Sequence, residues 1–442
     1  MNGAYLSARR ASACAAAVLV GGLLTASVSA SVIHVWPGDS IEEAITAAKD
    51  GDTIIVHPGE YCEGSMKLQG KAITVRSEDP ADPLVVLTTA ITPPEHQPVF
   101  RCVNGEGPDT VISGFTLYSA IMPEDGGAMV IDNSSPTVSY CSFDFNLCYE
   151  SGAAMRINGG APRIANCAFS LNWAEESGGA LWLNESDAII TDCSFFANHS
   201  GYDPYEYYYS GGAIFALSCD ITIADCLFSG NSADPLGGAV QLVFGSANIT
   251  NCRFIGNSAD SWGGGVYYWG EESLTVSGCE FMGNVAGEDA GGLAVDLYLS
   301  ATATITDCTI LGNTVWTIGT GGVFIAGGSE TTVANTQIYG NFSDQIEGEY
   351  TDAGGNFISD IAPPPPPAPD PPDPVGACCL PGGLCMVGTE AHCVEAGGAY
   401  AGDGTDCETA DCPEACPGDI DGDGDVDTAD LLALLAAWGA CP

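Results

Sequence analysis

Between residues 135 and 341 apolar and polar positions alternate on a two-residue beat, and the beat restarts eight times. Each restart places a β-branched residue (Val138, Ile164, Ile190, Ile223, Ile249, Val276, Ile305, Val333) three positions before a Cys slot. That slot holds Cys141, Cys167, Cys193, Cys226, Cys252, Cys279 and Cys308, with Thr336 eighth. Two residues on stand Phe143, Phe169, Phe195, Phe228, Phe254, Phe281, Ile310 and Ile338, and three further on an Asn every time, from Asn146 to Asn341. A Gly-Gly phrase follows in most copies, as at Gly178-Gly179 and Gly237-Gly238. Cys-to-Cys spacings of 26, 26, 33, 26, 27 and 29 mean stacked copies of one unit. Short runs of β-branched and small residues broken by Gly, Asn and Asp read as strands and turns, not helix. One coil per repeat makes an all-β parallel β-helix, a solenoid in which each coil adds roughly 4.8 Å.

Stacking places like on like. Cys and Phe form columns in the core, and the Asn column can bond amide to amide along the axis. The slot before the Cys holds Asn166, Asp192, Asp225, Asn251, Gly278, Asp307 and Asn335, with Tyr140 the exception; these residues tolerate the left-handed backbone of a sharp bend. The repeats contain no CxxC or Cys-His spacing, so the Cys column reads as packing. After each Gly-Gly, alternation turns one column outward: Arg156, Trp182, Phe215, Gln241, Tyr267, Ala294, Phe324. Trp182, Phe215, Tyr267 and Phe324 are therefore candidate binding residues, an aromatic row for a glycan or protein partner. The alternative is that the Tyr-rich insertion at 202–209 folds down and covers them. Asp192 and Asp225 fall one coil apart but share the bend slot with Asn and Gly, so they read as turn residues and no catalytic residue is assigned.

The flanks differ. Residues 40–49 read as a short helix with Ser40 as N-cap and Glu43 completing a capping box, suited to closing the open end of the stack. Thr53–Val56 and residues 72–75 read as strands, and 111–117 as a further coil. Residues 362–374 are mostly Pro, a polyproline II linker. Residues 375–416 are a Cys-rich segment too small for a large core, which implies disulfides of unspecified pairing, with zinc as the alternative. In 417–442, Asp419, Asp421, Asp423, Asp427 and Asp430 supply oxygen at positions 1, 3, 5, 9 and 12 of a loop. Gly424 turns it at position 6, and Asp425 offers a carbonyl at position 7, an EF-hand-like pattern for Ca2+. A helix follows from Leu431.

Charge narrows the partners. The 442 residues carry a net charge of −47, with 57 acidic and 10 basic residues, and no Lys or Arg after Arg253. Such a surface repels nucleic acid, anionic membranes and polyanionic polysaccharide. Arg9, Arg10, the apolar stretch 11–28 and Val28-Ser29-Ala30 read as a signal peptide over 1–30, so the β-helix (31–345) is expected to be secreted or at the cell surface. No other apolar run has spanning length.

Three resemblances add to this. The paired phrases Phe-x-x-Asn (169–172, 228–231) and Gly-Gly-Ala-[Ile/Leu/Val] (178–181, 211–214, 237–240) resemble the repeats of polymorphic outer-membrane proteins, which are β-helical adhesins. More broadly the chain resembles the right-handed, pectin-lyase-like β-helix superfamily, whose enzymes are polysaccharide lyases and hydrolases. Residues 418–439 resemble one repeat of a dockerin type I module, which implies a cohesin-like docking partner; a full dockerin has two such repeats. The β-helix has no Arg-x-Pro-x-x-Arg phrase and no Asn-Thr-Asp or Asp-Asp pair. The expectation is thus a non-catalytic surface binding protein for a polysaccharide or cell-surface partner, with a polysaccharide lyase or glycoside hydrolase as the alternative.

Overall fold

The computed structural model describes residues 30–361, except 95, 119, 123–125, 202–209, 299, 318 and 328–329, together with 375–379, 385–395, 399–403 and 405–406. The expected signal peptide, Pro-rich linker, most of the Cys-rich segment and the calcium loop with its helix lie outside the described residues.

The repeats build a parallel solenoid of four sheets with 13, 12, 11 and 8 strands. One coil shows the plan. Thr137–Ser139 lies on face one, Ser142–Asp144 on face two, Leu147–Cys148 on face three and Met155–Asn158 on face four. Pairing is parallel and in register: Val138 meets Ile164, Phe143 meets Phe169, Met155 meets Leu181. The bend between faces one and two is left-handed at Tyr140, Asn166, Asp192, Asp225, Asn251, Gly278, Asp307 and Asn335, with φ between 50° and 64°, as the residue types require.

Two columns hold the interior. Phe143, Phe169, Phe195, Phe228, Phe254 and Phe281 stack with centroids 4.7–4.9 Å apart and planes within 10°. The Asn column is buried throughout and fully bonded. Asn172 Nδ2 donates to Asn198 Oδ1 at 2.8 Å and to the Phe143 carbonyl at 2.9 Å. Asn172 Oδ1 accepts from the backbone N–H and the Nδ2 of Asn146. The pattern repeats to Asn341, whose amide donates to Gln345 Oε1 at 2.9 Å, so Gln345 ends the ladder. From Asn172 to Asn341 each amide thus uses two donors and two acceptor sites with no water, the condition for burying it without penalty.

The amino-terminal end is closed by the helix Ile41–Ala47, which buries Ile41, Ala44 and Ile45. Ser40 Oγ accepts from the Glu43 N–H as expected. The further cap is Glu63, from the next coil: its carboxylate accepts from the N–H groups of Ile41 and Glu42 and from Ser40 Oγ. The strand expected at 72–75 is Thr74–Ser77, and a helix not foreseen, Pro83–Thr88, follows it. In the carboxy-terminal segment Val375–Cys379 pairs antiparallel with Cys385–Thr389 and Ala399–Asp403. Cys378 and Cys393 form a disulfide there. Among the described residues no helix is long and apolar enough to cross a membrane.

The ladder gives a stability test. Asn231→Ala strands the Asn198 and Asn257 amides and the Phe195 carbonyl and should cost about 3 kcal/mol in denaturant unfolding. Asn231→Asp should cost at least as much, because a carboxylate cannot donate to Asn257. Gly230→Ala, at φ 64° with open space around it, should cost only about 1 kcal/mol, since Ala197 occupies the same slot one coil earlier.

Candidate functional site

The outward column of face four is where the sequence placed the binding row, and its register is as expected: Arg156, Trp182, Phe215, Gln241, Tyr267, Ala294 and Phe324 are successive partners. Exposure is not as expected. Phe215 is 1% exposed and Tyr267 5%; Trp182 and Phe324 are half-buried. The Gly-Gly connections lie against the column. A Cβ at Gly152 would meet Trp182 Cβ at 3.0 Å, one at Gly237 would meet Gln241 Cβ at 2.7 Å, and one at Gly263 would meet Tyr267 Cβ at 2.8 Å. Glycine is favoured here twice over, by left-handed φ values of 75°, 65° and 69° and by the close approach of the chain to these side chains. Tyr267 joins Leu236, Ala290 and Ala294 in a satellite core, against which Trp262, Trp269 and Phe324 pack. Arg156 sits over the Trp182 ring at 5.1 Å. The row is a packed layer, not an open stripe; the insertion at 202–209 lies outside the described residues.

An open aromatic surface does exist, on face three and the bend before it. The bend slot preceding each Asn is left-handed in every coil: Phe145, Leu171, Ala197, Gly230, Gly256, Gly283, Gly312 and Gly340, with φ from 51° to 64°. Five coils fill it with Gly. Phe145 and Leu171 occupy it at 61% and 41% exposure, so they carry the left-handed cost of about 1–2 kcal/mol each with only partial burial to offset it. Beside them Phe196 is 55% and Trp173 38% exposed. On face three Ile121, Leu147, Trp173 and His199 are successive partners, and the Trp173 and His199 rings stack at 6.2 Å. Exposed Tyr149 borders the same patch.

The patch runs into a polar cluster on the following coils. Ser232 pairs with Ser258 and Ala233 with Ala259, which sets Asp234 and Asp260 side by side, one coil and roughly 4.8 Å apart. His199 Nδ1 lies 2.8 Å from Ser232 Oγ. Burial, with the nearby Asp260 charge, raises the Asp234 carboxyl above the ordinary 3.8, against a smaller opposing pull from His199. Burial lowers the His199 imidazole, and the two carboxylates oppose that. On face two Ser142 donates to Asp144 at 2.7 Å, whose carboxyl burial raises. The described strands of faces two and three between 142 and 200 carry no Lys or Arg.

A second concavity runs along the bend between faces one and two. A groove of about 510 Å³ is lined by Tyr140, Asn166, Asp192, Asp225, Asn251, Leu227 and Arg253 over the thiols of Cys167, Cys193 and Cys226. It adjoins one of about 450 Å³ walled by Pro83, Val86 and Leu87. Asp192 and Asp225 are left-handed turn residues, as read from the sequence. Among the described residues no three His, Cys, Asp or Glu side chains could together hold a metal ion. The six aspartates Asp419, Asp421, Asp423, Asp425, Asp427 and Asp430 lie outside the described residues.

Residues 101–281 match the family model described as the right handed beta helix region, which fits the parallel coil topology. No curated protein matches the chain. Solved structures of similar outline include the catalytic unit of the thermostable GH87 alpha-1,3-glucanase from Streptomyces thermodiastaticus strain HF3-3. It has 14% identity and a TM-score of 0.47, covering 72% of this chain and 65% of that one. A mannuronic acid specific family 6 polysaccharide lyase from human gut microbiota has 12% identity and a TM-score of 0.35, covering 73% and 83%. The PL6 family alginate lyase AlyGC has 13% identity and a TM-score of 0.33, covering 82% and 56%. This chain therefore spans less than two thirds of the length of the glucanase unit.

The signs of the shifts give a test. A carboxyl raised by folding favours the neutral form, so its contribution to stability is full below 3.8 and is lost as pH rises through the raised value. Asp234→Asn should therefore raise the melting temperature relative to wild type near pH 7 and leave it unchanged near pH 3. A pH-independent difference would mean that the effect is packing.

Proposed function

We propose that the protein is an extracellular polysaccharide-binding β-helix whose binding surface is the face-three patch of Phe145, Leu171, Trp173 and Phe196. The observation that supports this most is the backbone cost at Phe145 and Leu171. Both hold a left-handed conformation while still exposed to solvent, at a slot where later coils use Gly. Strain without full burial marks a residue kept for what it contacts. Flat rings on a rigid coil bind the apolar faces of sugar rings, and the pitch of the coils spaces them along an extended chain. The absence of basic side chains on the described strands here, with the net charge of −47, favours a neutral or amino-sugar polymer over a uronate one.

A second reading rests on Asp234 and Asp260. Two carboxylates one coil apart, one raised by burial and by the other's charge, have the division of labour of a general acid and its ionised partner. A spacing of roughly 5 Å suits a retaining glycoside hydrolase. On this reading Asp234 donates a proton to the leaving glycosidic oxygen and Asp260 attacks or stabilises the developing cation. In both readings the carboxy-terminal loop is a calcium module of dockerin type, suited to tethering the solenoid to a cohesin-like partner.

Two experiments bear on these readings. Trp173→Ala should weaken binding to a neutral or amino-sugar polysaccharide at least tenfold, about 1.4 kcal/mol, in affinity electrophoresis, while Asp234→Asn should bind normally and release no reducing ends. Retention of full affinity in Trp173→Ala and in Phe145→Gly would remove the patch from consideration. Calorimetric titration of the full chain with Ca2+ should show one site that Asp423→Ala abolishes; equal heats in the two proteins would exclude the loop as the ligand.

A further inference from the structure

Among the described residues ten cysteines of the solenoid form no disulfide, and all ten are buried, while Cys378 and Cys393 are joined. Seven of the ten form one column, Cys141 to Cys308, on successive coils. Their thiols are fixed. Cys193 Sγ donates to the Thr191 carbonyl at 3.1 Å and accepts from the Cys167 N–H at 3.4 Å; Cys279 Sγ accepts in the same way from the Cys252 N–H. Each sulfur lies close enough to those above and below to perturb their ionisation. Contact with Cys226 is the first cause that pushes Cys252 up to about 12, and contact with Cys252 does the same for Cys279. Cys167, Cys193 and Cys226 are among the residues that line the groove at the bend between faces one and two, so only a thin wall separates the column from solvent there, with 2–3% of each residue exposed.

We propose that this column is a binding site for soft monovalent cations of the Cu(I) and Ag(I) class, each held in line between the sulfurs of two adjacent coils. Thiolate ligands select such ions. A metal–sulfur bond of about 2.3 Å, taken twice in line, spans about 4.6 Å, close to the roughly 4.8 Å that separates coils. Two-coordinate ions therefore fit between coils without moving the backbone. Zinc requires four ligands about one point, and among the described residues no three potential ligands share one.

Charge balances within the column. A cation entering between two thiols displaces one proton to solvent and forms two metal–sulfur bonds while one S–H bond breaks; no electron is transferred. Seven sulfurs bridged by six cations lose six protons and remain neutral, so a filled column buries no net charge. The acidic exterior concentrates cations at the groove mouth, where Asp192 and Asp225 stand.

The test uses the full chain with its disulfides formed, titrated with Ag(I) under nitrogen and read by native mass spectrometry and the ultraviolet silver–thiolate band. The triple variant C167S/C193S/C226S breaks four of the six gaps. A hydroxyl suits this slot, because Thr336 occupies it naturally and its Oγ1 accepts from the Cys308 N–H at 3.3 Å. Wild type should take up four more ions than the triple variant, and the single variant C193S two fewer than wild type. The wild-type β-sheet circular dichroism should stay unchanged throughout. Equal uptake by wild type and C193S, uptake only on loss of the β-sheet signal, or Zn(II) binding as tight as Ag(I) would each overturn the proposal.

Discussion

A buried primary amide needs two acceptors for its hydrogens and two donors for its oxygen, and the solenoid supplies all four from the coils on either side. Asn172 takes them from Phe143, Asn146 and Asn198, and none is satisfied if a coil slips by one residue. A slip would also turn Phe169 outward and its polar neighbours inward. The ladder therefore fixes register at one point per coil and leaves the other connections free. That is why coil length varies from 26 to 33 residues without breaking the stack. Extra residues enter where no amide has to be met, as between Ser200 and Ser210, whose hydroxyls still meet at 3.0 Å across the insertion. The same one-way order of donors requires an end, and Gln345 provides it by presenting its amide oxygen to Asn341 and its amide nitrogen to Asp360.

What the sequence revealed follows from that constraint. Residues that repeat because the coil requires them were legible: the Phe and Cys columns, the Asn ladder, the left-handed bend at Asp192 and Asp225, and the helix capped by Ser40. The burial of the expected binding row was not legible, for an equally physical reason. Alternation tells which way Phe215 and Tyr267 point, not what lies over them. The Gly-Gly phrases held part of that information: most of their first glycines are left-handed turns that also bring the chain close to that column. Glu63 and the helix Pro83–Thr88 were not legible either: the first caps a helix from another coil, and the second is an insertion outside the repeat.

The surface patch was present in the sequence as a departure from the repeat. The slot before each Asn reads Phe, Leu, Ala, then five glycines. Read alone, Phe145 and Leu171 look like further apolar residues of an apolar chain. Read against the five glycines, they are residues that the backbone disfavours and that the core does not bury. The position after each Asn varies too, with Trp173 and His199 on the early coils, Ser232 and Ser258 on the next, and an aromatic again at Phe342. The patch of Phe145, Leu171, Trp173 and Phe196 lies on coils that precede the acid pair, so its rings and the carboxylates do not share one coil; Trp316 and Phe342 are further exposed rings on the last coils.

This division follows from the architecture. In a solenoid each coil contacts only its neighbours, and the interior is satisfied by a few slots per coil. Every outward slot is then free to vary with little effect on register, and a site is written across successive coils. Its spacing along the axis is the strand spacing, which no side chain can alter. Such a surface suits ligands that repeat on the same scale, whether sugar units laid on the rings of Phe145 and Trp173 and the aliphatic Leu171 or cations threaded between sulfurs at the coil pitch. The identity of the ligand is then decided by what each column presents: apolar rings on one flank, carboxylates on the next, thiols beneath the bend. The strong negative charge acts on all of them alike, favouring neutral and cationic ligands wherever on the solenoid they bind.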